Sequence, residues 1–552
     1  MARSKTRVFS CCALILVCVV VIIVCISVFR RHKCPEGTFS NVAVAADSGT
    51  CSKIGRDMLR KGGSAVDGAI AALLCTSIIN PQSMGLGGGA IFTVMDSSGN
   101  VKIINSRETV PENVKPGLLE VCPKTFQLIS GSQWIAVPGE VRGYEQAHKL
   151  YGKLPWATLF QPAIKLARKG FPIPPIQGRY LSYIDSNETK ALRDFYTDKN
   201  GKLMKIGDIV KFEKLADTLE TIANQGPEAF YTGKIAEDLI HDIKEAGGTL
   251  TVQDLASYKA TVTDAWVIPI GEYQMYIPPP PAGGIILSFI LNVMKGYNLT
   301  STDLIGEKKT LLYHRLIEAF KFSNGLKKYI RDPGFSSEKM AKTITEESFA
   351  NHIRSLISDN QTHARRYYNS TPYLDSMGTT HLSVIAKDGS AVSVTSTVNH
   401  IFGSKIMSPS TGVILNNQLS DFCGREDTIF PGQHPPSSMA PTVLKSKSKT
   451  LVLGSTGGNM ITIGMVSALM NHIWFGKSLK EAIDAPILYV NPQNLVGFEP
   501  NFDENVIEAL EAMGHKQRIL SRFYNVVNAA EMEDGCICAE SDARKQGEAA
   551  GY

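Results

Sequence analysis

The sequence has no CxxC pair, no HExxH and no His-x-x-x-His spacing, so a zinc site has no support and neither metal nor cofactor is expected. It has no Walker A lysine motif and no Lys/Arg-rich block. A net charge of +5 over 552 residues is mild, so nucleic acid is not an expected partner. Charged side chains make up only 20% and hydrophobic ones 43%, which excludes a disordered, charge-rich chain. Only one apolar run is long enough to span a bilayer, which excludes a polytopic membrane protein. No internal repeat is visible. The length allows two to four ordinary domains or one oversized α/β unit.

That single run is Val8 to Phe29, about 22 residues without a charge, enough to cross roughly 30 Å of hydrocarbon. No A-x-A-like site follows it. Arg30-Arg31-His32-Lys33 does, so the reading is a retained anchor, with a cleaved signal as the alternative. Flanking charge is nearly balanced, with Arg3, Lys5 and Arg7 before the span and Arg30, Arg31 and Lys33 after it. Only residues 1–7 precede the span, so they form a short tail and the folded mass follows. N-x-S/T sequons at Asn187, Asn298, Asn360 and Asn369 lean toward an extracellular body and are candidate glycosylation sites. Outside the span lie Cys34, Cys51, Cys75, Cys122, Cys423, Cys536 and Cys538, an odd number, so at least one has no partner within the chain. Cys51 and Cys75 flank a helical pattern and are placed to close a loop around it.

After the span, residues 39–46 read as a strand and 50–61 and 63–77 as helices. Asn80 to Gly89 is a loop, and 90–95 and 101–105 are strands. From 135 to 330 the pattern is mostly helical, with an apolar helix from Ile285 to Met294 after Pro278–Pro281. Residues 331–376 read as exposed and loosely held. From 379 onward the texture is dense in strands: HLSVIA, SAVSVTST, GVILNN and TLVLGS, followed by a buried helix from Asn459 to Phe475. Strands at both ends with helices between imply one intertwined α/β body.

Lys387-Asp388-Gly389 between two alternating runs signals a hairpin. A three-residue loop with Gly389 left-handed places Thr379 opposite Thr397, and a two-residue loop places Thr397 opposite Thr380. Either way a hydroxyl lies beside the Thr379–Thr380 pair. Cross-strand threonines are also ordinary strand residues. Asn399, Asn416-Asn417-Gln418, Asp421 and Ser437-Ser438 follow as further polar groups. Gly457-Gly458 before a helix offers free N–H groups and the positive dipole end to an oxyanion, or simply a tight turn. The run Gly85 to Ala90 fits G-x-G-x-x-A, but a strand follows it where a dinucleotide fingerprint needs a helix. Arg107 ends a strand.

At NPQSMGLGGG, INSRETVP, PPPPAGG, GTTHLSV, TSTVNHIFGSK, SPSTGVILNNQLSDF, PSSMAPT, GSTGGNMI and the terminal RKQGEAAGY, the sequence resembles the gamma-glutamyltransferase (glutathione hydrolase) family. With EPNFDENV, its wording is most similar to the gamma-glutamyl leukotrienase branch. The resemblance extends from about residue 40 to the end. It implies an N-terminal-nucleophile αββα sandwich made as one precursor and self-cleaved between Gly378 and Thr379. The organisation it implies is a cytoplasmic tail (1–7), a transmembrane anchor (8–29), an extracellular large chain (30–378) and a small catalytic chain (379–552) paired as a heterodimer at the plasma membrane. Thr379 would be the nucleophile, with its own α-amino group as base, and Thr397 its hydrogen-bond partner. Arg107, Ser437 and Ser438 would hold the substrate α-carboxylate. Asn399, Gln418 and Asp421 would hold its α-ammonium, and Gly457 and Gly458 the oxyanion. Cys51–Cys75 resembles a family disulfide. Substrates would be glutathione, its S-conjugates and leukotriene C4, with water, amino acids or dipeptides as acceptors. Gln418 departs from the Glu usual in animal relatives, so α-ammonium binding loses one charge. Thr380 and His400 vary in the family and are expected to tune the acceptor side or packing. Two other readings stand beside this one: an inactive, uncleaved binding ectodomain, and an acylase of different specificity lacking the Arg107/Asp421 pair.

Overall fold

Strands buried on both faces need apolar or small residues at nearly every position, and the central strands of this chain have them. The computed structural model describes residues 34–123, 127–184, 189–370, 378–519 and 526–552. The tail at 1–7, the anchor at 8–29 and Asn187 lie outside those residues. Among the described residues no helix is long and apolar enough to cross a membrane.

The strands of the two main sheets, in chain order, are β1 (Ala43–Ala45), β2 (Gly89–Met95), β3 (Val101–Ser106), β4 (Thr261–Asp264), β5 (Trp266–Ile270), β6 (Tyr273–Ile277), β7 (Thr380–Ile385), β8 (Ala391–Thr397), β9 (Thr442–Lys445), β10 (Lys449–Ser455), β11 (Val527–Glu533), β12 (Cys536–Ser541) and β13 (Ala550–Gly551). One sheet has the order β13-β1-β7-β8-β2-β3-β4 and the other β12-β11-β10-β9-β6-β5. Side chains alternate between layers with the period of two that a strand dictates. Ala43, Ala45, Ile385, Val452 and Ala530 meet between the sheets. Their neighbours Val44, Val384 and Leu382 face an outer helical layer, and Leu451, Leu453 and Ala529 face the other.

The first outer layer includes α1 (Gly49–Arg60) and α2 (Ala65–Ile79), and the second includes α3 (Gly284–Lys295), α4 (Gly306–Leu326) and α5 (Met460–Leu469). α2 is buried on every side and starts at a capping box between Ser64 and Asp67. Such a cap stabilises a helix by about 1 kcal/mol. Helix, sheet, sheet, helix is the αββα order the sequence implied.

Three expectations need correction. Residues 331–376 are not loosely held where described: helices at Lys339–Thr345 and Glu347–Leu356 bury Ala341, Ile344, Ala350 and Ile353, and Tyr368 joins them in the core. Each buries only one narrow stripe, so the segment reads as polar. GVILNN forms only isolated bridges, at Ile414 and Leu415, because it wraps the loop at Gly87 rather than extending a sheet. The region 135–330 also contains β4, β5 and β6, whose exposed positions at Thr261–Asp264 hide the strand pattern.

Among the described residues there are three disulfides, Cys51–Cys75, as expected, with Cys34–Cys536 and Cys122–Cys423, and Cys538 is free. The sequons at Asn298, Asn360 and Asn369 are exposed.

Candidate active site

The β7–β8 hairpin resolves the register left open by the sequence. Ser396 pairs with Thr380 and Ala391 with Ile385, the spacing of a three-residue loop, and Gly389 is left-handed with φ 82°. One step further along, Thr379 faces Thr397. The Thr379 hydroxyl donates to Thr397 Oγ1 over 3.1 Å, and that oxygen also accepts the Asn399 N–H over 2.8 Å. Thr379 has φ 81°, a left-handed conformation that a β-branched residue rarely adopts. Its N–H donates to the Ser83 carbonyl, which also accepts from Val398. The loop from Asn80 to Gly89 is therefore the backing of the nucleophile strand. Gly378 is pressed against the Asn399 carbonyl: a Cβ there would lie 2.3 Å from that oxygen.

Thr379, Thr397, Asn399, Arg107, Gln418, Asp421, Ser437, Ser438 and Gly458 all line one small cavity. Arg107, just past β3, is wholly buried. Its Nη2 lies 2.5 Å from Asp421 Oδ2 and 3.2 Å from the Pro436 carbonyl, and its Nε donates to the Pro435 carbonyl. Among the described residues its Nη1 has no hydrogen-bond acceptor, with Glu108 at 3.6 Å. Gln418 donates from Nε2 to Asp421 over 3.0 Å and leaves a buried Oε1 without a partner among the described residues. Both hydrogens of Asn399 Nδ2 go to the Asn417 carbonyl and Ser420 Oγ, so its Oδ1 is the atom left to accept from a ligand. The cavity thus offers an orphan cationic donor next to orphan amide acceptors and a carboxylate. A cation and an anion placed side by side match a ligand whose own carboxylate and ammonium sit on one carbon.

Ser437 and Ser438 are held by Pro281 and Gly283: the Ser437 N–H donates to the Pro281 carbonyl, and the Gly283 N–H to Met439. This is the role of the proline run. Gly457 and Gly458 have φ 98° and 58° and precede α5. Among the described residues no backbone carbonyl accepts from either N–H, while their carbonyls accept from Met460 and Ile461. Gly458 lines the cavity, and Gly457 is not among its lining residues. Two successive amides without a carbonyl acceptor, at the start of a helix, are placed to receive an anion.

Four features escaped the sequence reading. Lys545 donates to the Thr379 carbonyl over 2.7 Å and pairs with Asp47 at 3.1 Å. Arg425 also lines the cavity. Glu108 and Glu140 are fully buried, and burial pushes their carboxyls up to about 7 and about 8. His381 is fully buried and burial pulls it down to about 3, so it is a neutral packing group bonded to Thr395 and Ser383. Lys545, Glu108 and His381 had a signal, their places in the stretches that carry the resemblance, while Glu140 and Arg425 had none. Thr380 and His400 act in packing: Thr380 donates to Asp47, and His400 Nδ1 takes the Ile129 N–H. Elsewhere His314, Glu318 and His515 cluster within 4.8 Å, but His314 bonds to His515 and to the Ser358 carbonyl, and Lys321 to His515.

The sequence matches the family profile described as Gamma-glutamyltranspeptidase over residues 51–552. It is 44% identical to glutathione hydrolase 5 proenzyme of Rattus norvegicus, with 96% of each chain covered, and 42% identical to that of Homo sapiens, with 95% of each covered. In structure it resembles a cephalosporin acylase from Bacillus halodurans at TM-score 0.83 and 25% identity, covering 95% of this chain and 97% of that one. It also resembles a Helicobacter pylori gamma-glutamyltranspeptidase at TM-score 0.55 and 26% identity, covering 60% of this chain and 95% of the other.

Proposed function

The chain belongs to the gamma-glutamyltranspeptidase family, whose chemistry is γ-glutamyl hydrolysis and transfer, and on that premise we propose that Thr379, freed by cleavage of the Gly378–Thr379 bond, is the nucleophile. One observation carries the reading: the Thr379–Thr397 hydroxyl pair opens into the cavity that holds Arg107 beside Asp421. In the precursor the Thr379 hydroxyl attacks the Gly378 carbonyl carbon, the peptide nitrogen leaves as an amine, and water hydrolyses the resulting ester. The left-handed Thr379 supports this step, because a strained backbone of this kind stores about 1–3 kcal/mol that the cut releases.

The new α-amino group then takes the proton from its own hydroxyl, directly or through one water. Oγ1 attacks the γ-amide carbonyl. The oxyanion that forms is stabilised by the Gly457 and Gly458 amides. The α-ammonium returns the proton to the leaving amine, which is cysteinylglycine when glutathione is the substrate. The glutamyl ester on Thr379 is released by water or by an acceptor amine. Arg107, Ser437 and Ser438 hold the α-carboxylate, while Asn399, Gln418 and Asp421 hold the α-ammonium.

We place glutathione, its S-conjugates and leukotriene C4 in the substrate class, and the body outside the plasma membrane on the anchor at 8–29. The exposed sequons and the three disulfides support an oxidising compartment. The likeness to a cephalosporin acylase keeps a second acyl group in view, but the Gln418–Asp421 acceptors suit an amino-bearing acyl chain. N-terminal sequencing of the smaller band from reduced, deglycosylated protein tests the reading: Thr379-Thr380-His381 is expected, and a single uncut chain with no γ-glutamyl anilide turnover sinks it.

A further inference from the structure

Lys545 and Asp47 form a buried ion pair that touches the nucleophile residue without lining the cavity. Lys545 Nζ lies 2.7 Å from the Thr379 carbonyl oxygen and 3.1 Å from Asp47 Oδ2. Asp47 also accepts from the Thr380 hydroxyl over 2.7 Å and from Asn528 Nδ2 over 2.8 Å, and Asn528 Nδ2 reaches the His381 carbonyl over 2.7 Å. The first three residues of the small chain are therefore each held by this one network, built from the two ends of the sequence. A buried ion pair is weak evidence for stability, since desolvation cancels most of the attraction. This pair needs another reason to sit where it does.

We propose that Lys545 and Asp47 are positioning residues for the Thr379 nucleophile: Lys545 clamps the Thr379 carbonyl so that the α-amino group stays turned toward Ser83 and is kept unprotonated, and Asp47 fixes and partly offsets the Lys545 charge. The inference rests on the Thr379 reading above. Once the bond to Gly378 is cut, Thr379 loses its covalent tether on one side, and its carbonyl is the atom left to hold. Nitrogen and carbonyl oxygen of one residue are about 3 Å apart, which puts the Lys545 ammonium no more than about 6 Å from the new amine. A like charge at that distance disfavours the protonated form, and an amine must be unprotonated to act as base. The other charged groups nearby are those of the cavity. Arg107 and Asp421 pair with each other at 2.5 Å, Glu108 lies 3.6 Å from Arg107, and Arg425 is a further lining residue. His381 beside the network is neutral, held down by burial. The balance between Lys545 and Asp47 therefore sets the charge felt by the amine.

The test is the pH profile of kcat/KM for the purified two-chain enzyme, with a γ-glutamyl anilide as probe. Lys545→Met should move the acidic limb up by about 1 pH unit and lower kcat, because Asp47 is left uncompensated. Asp47→Asn should move the same limb down by a similar amount. Opposite shifts are what a merely structural pair would not give. A limb that stays at its wild-type position in both cleaved variants overturns the proposal, whatever happens to kcat. If Lys545→Met fails to fold or cleave, Asp47→Asn decides alone: a downward shift supports the proposal, and an unmoved or upward limb overturns it. N-terminal sequencing of the wild-type small chain separates this outcome from a failure of the Thr379 assignment itself.

Discussion

Replacing Asp421 by Asn removes one charge from the cavity and almost no volume. Asp421 Oδ2 accepts from Arg107 at 2.5 Å and from Gln418 at 3.0 Å, and with Gln418 uncharged it is the anion assigned to the substrate α-ammonium. An amide oxygen keeps a neutral hydrogen bond, while the charge-assisted part is lost. A hydrogen bond to a charged group contributes roughly 1.5–3 kcal/mol, so kcat/KM for a γ-glutamyl anilide should fall about 10- to 150-fold. The control is a glutaryl anilide, which keeps the γ-amide, the chain length and the terminal carboxylate and lacks only the α-amino group. Its kcat/KM should barely change. Rates are normalised to the amount of small chain, so that any loss of cleavage is not counted as loss of binding. An equal fall for both anilides would refute the reasoning, because Asp421 would then be supporting the fold or the reacting atoms and not the ammonium. A preference for the glutaryl anilide already in the wild type would point to the acylase reading.

Thr397→Val should lower kcat about 10- to 100-fold with a smaller change in KM, since its hydroxyl touches the reacting Thr379 oxygen and, beyond it, the Asn399 backbone N–H and not the Asn399 side chain assigned to substrate; a raised KM with normal kcat would contradict that role. The disulfides Cys34–Cys536 and Cys122–Cys423 each join residues on opposite sides of Gly378–Thr379, so cleaved protein should run as one band without reductant and as two with it; two bands without reductant would mean these bridges do not form. His381 has its pKa lowered to about 3 from 6.5. Its contribution is therefore fully present above pH 6.5 and falls by about 1.4 kcal/mol per pH unit below it, where only the unfolded chain takes up the proton. Thermal melts from pH 7.5 to 5 should show that slope flattened in His381→Gln, and an unchanged slope would assign the acid sensitivity elsewhere.

The parts of the site that lie close together along the chain are legible in its residues. The x-Asp-Gly turn signals the hairpin, and two registers remain only because a turn of either length fits the same letters. The contact between Thr379 and Thr397 needs the three-residue register, which the left-handed Gly389 provides. The resemblance assigns Arg107 and Asp421 to two different groups of the substrate, and in the fold the two side chains touch. That contact spans 314 residues of sequence, and no local pattern encodes it. The contact between Asp47 and Lys545, 498 residues apart, is encoded by no local pattern for the same reason. The pairing of Cys34 with Cys536 depends on β1 lying next to β13 and beneath β12, a consequence of sheet order that spacing cannot supply. The exposed β4 and the one-stripe helices after residue 338 elude a sequence reading because each buries too few side chains to leave a periodic signal.

In the first sheet, β7 and β8 lie between β1 and β2, and in the second β9 to β12 abut β6. Strands from before and after Gly378 are shuffled together like two halves of a deck. The proposed cut would leave each product with strands whose neighbours belong to the other, so chains made separately would have to fold around gaps in the sheets. On the proposed cleavage, assembly precedes the cut: the strands are set in order while the polypeptide is continuous, and the cut comes after them. Folding here is a set of instructions that can be read once: a cleaved molecule that is reduced and fully unfolded has lost the linkage that arranged it, and its two pieces hold the residues of the enzyme without the route back to it.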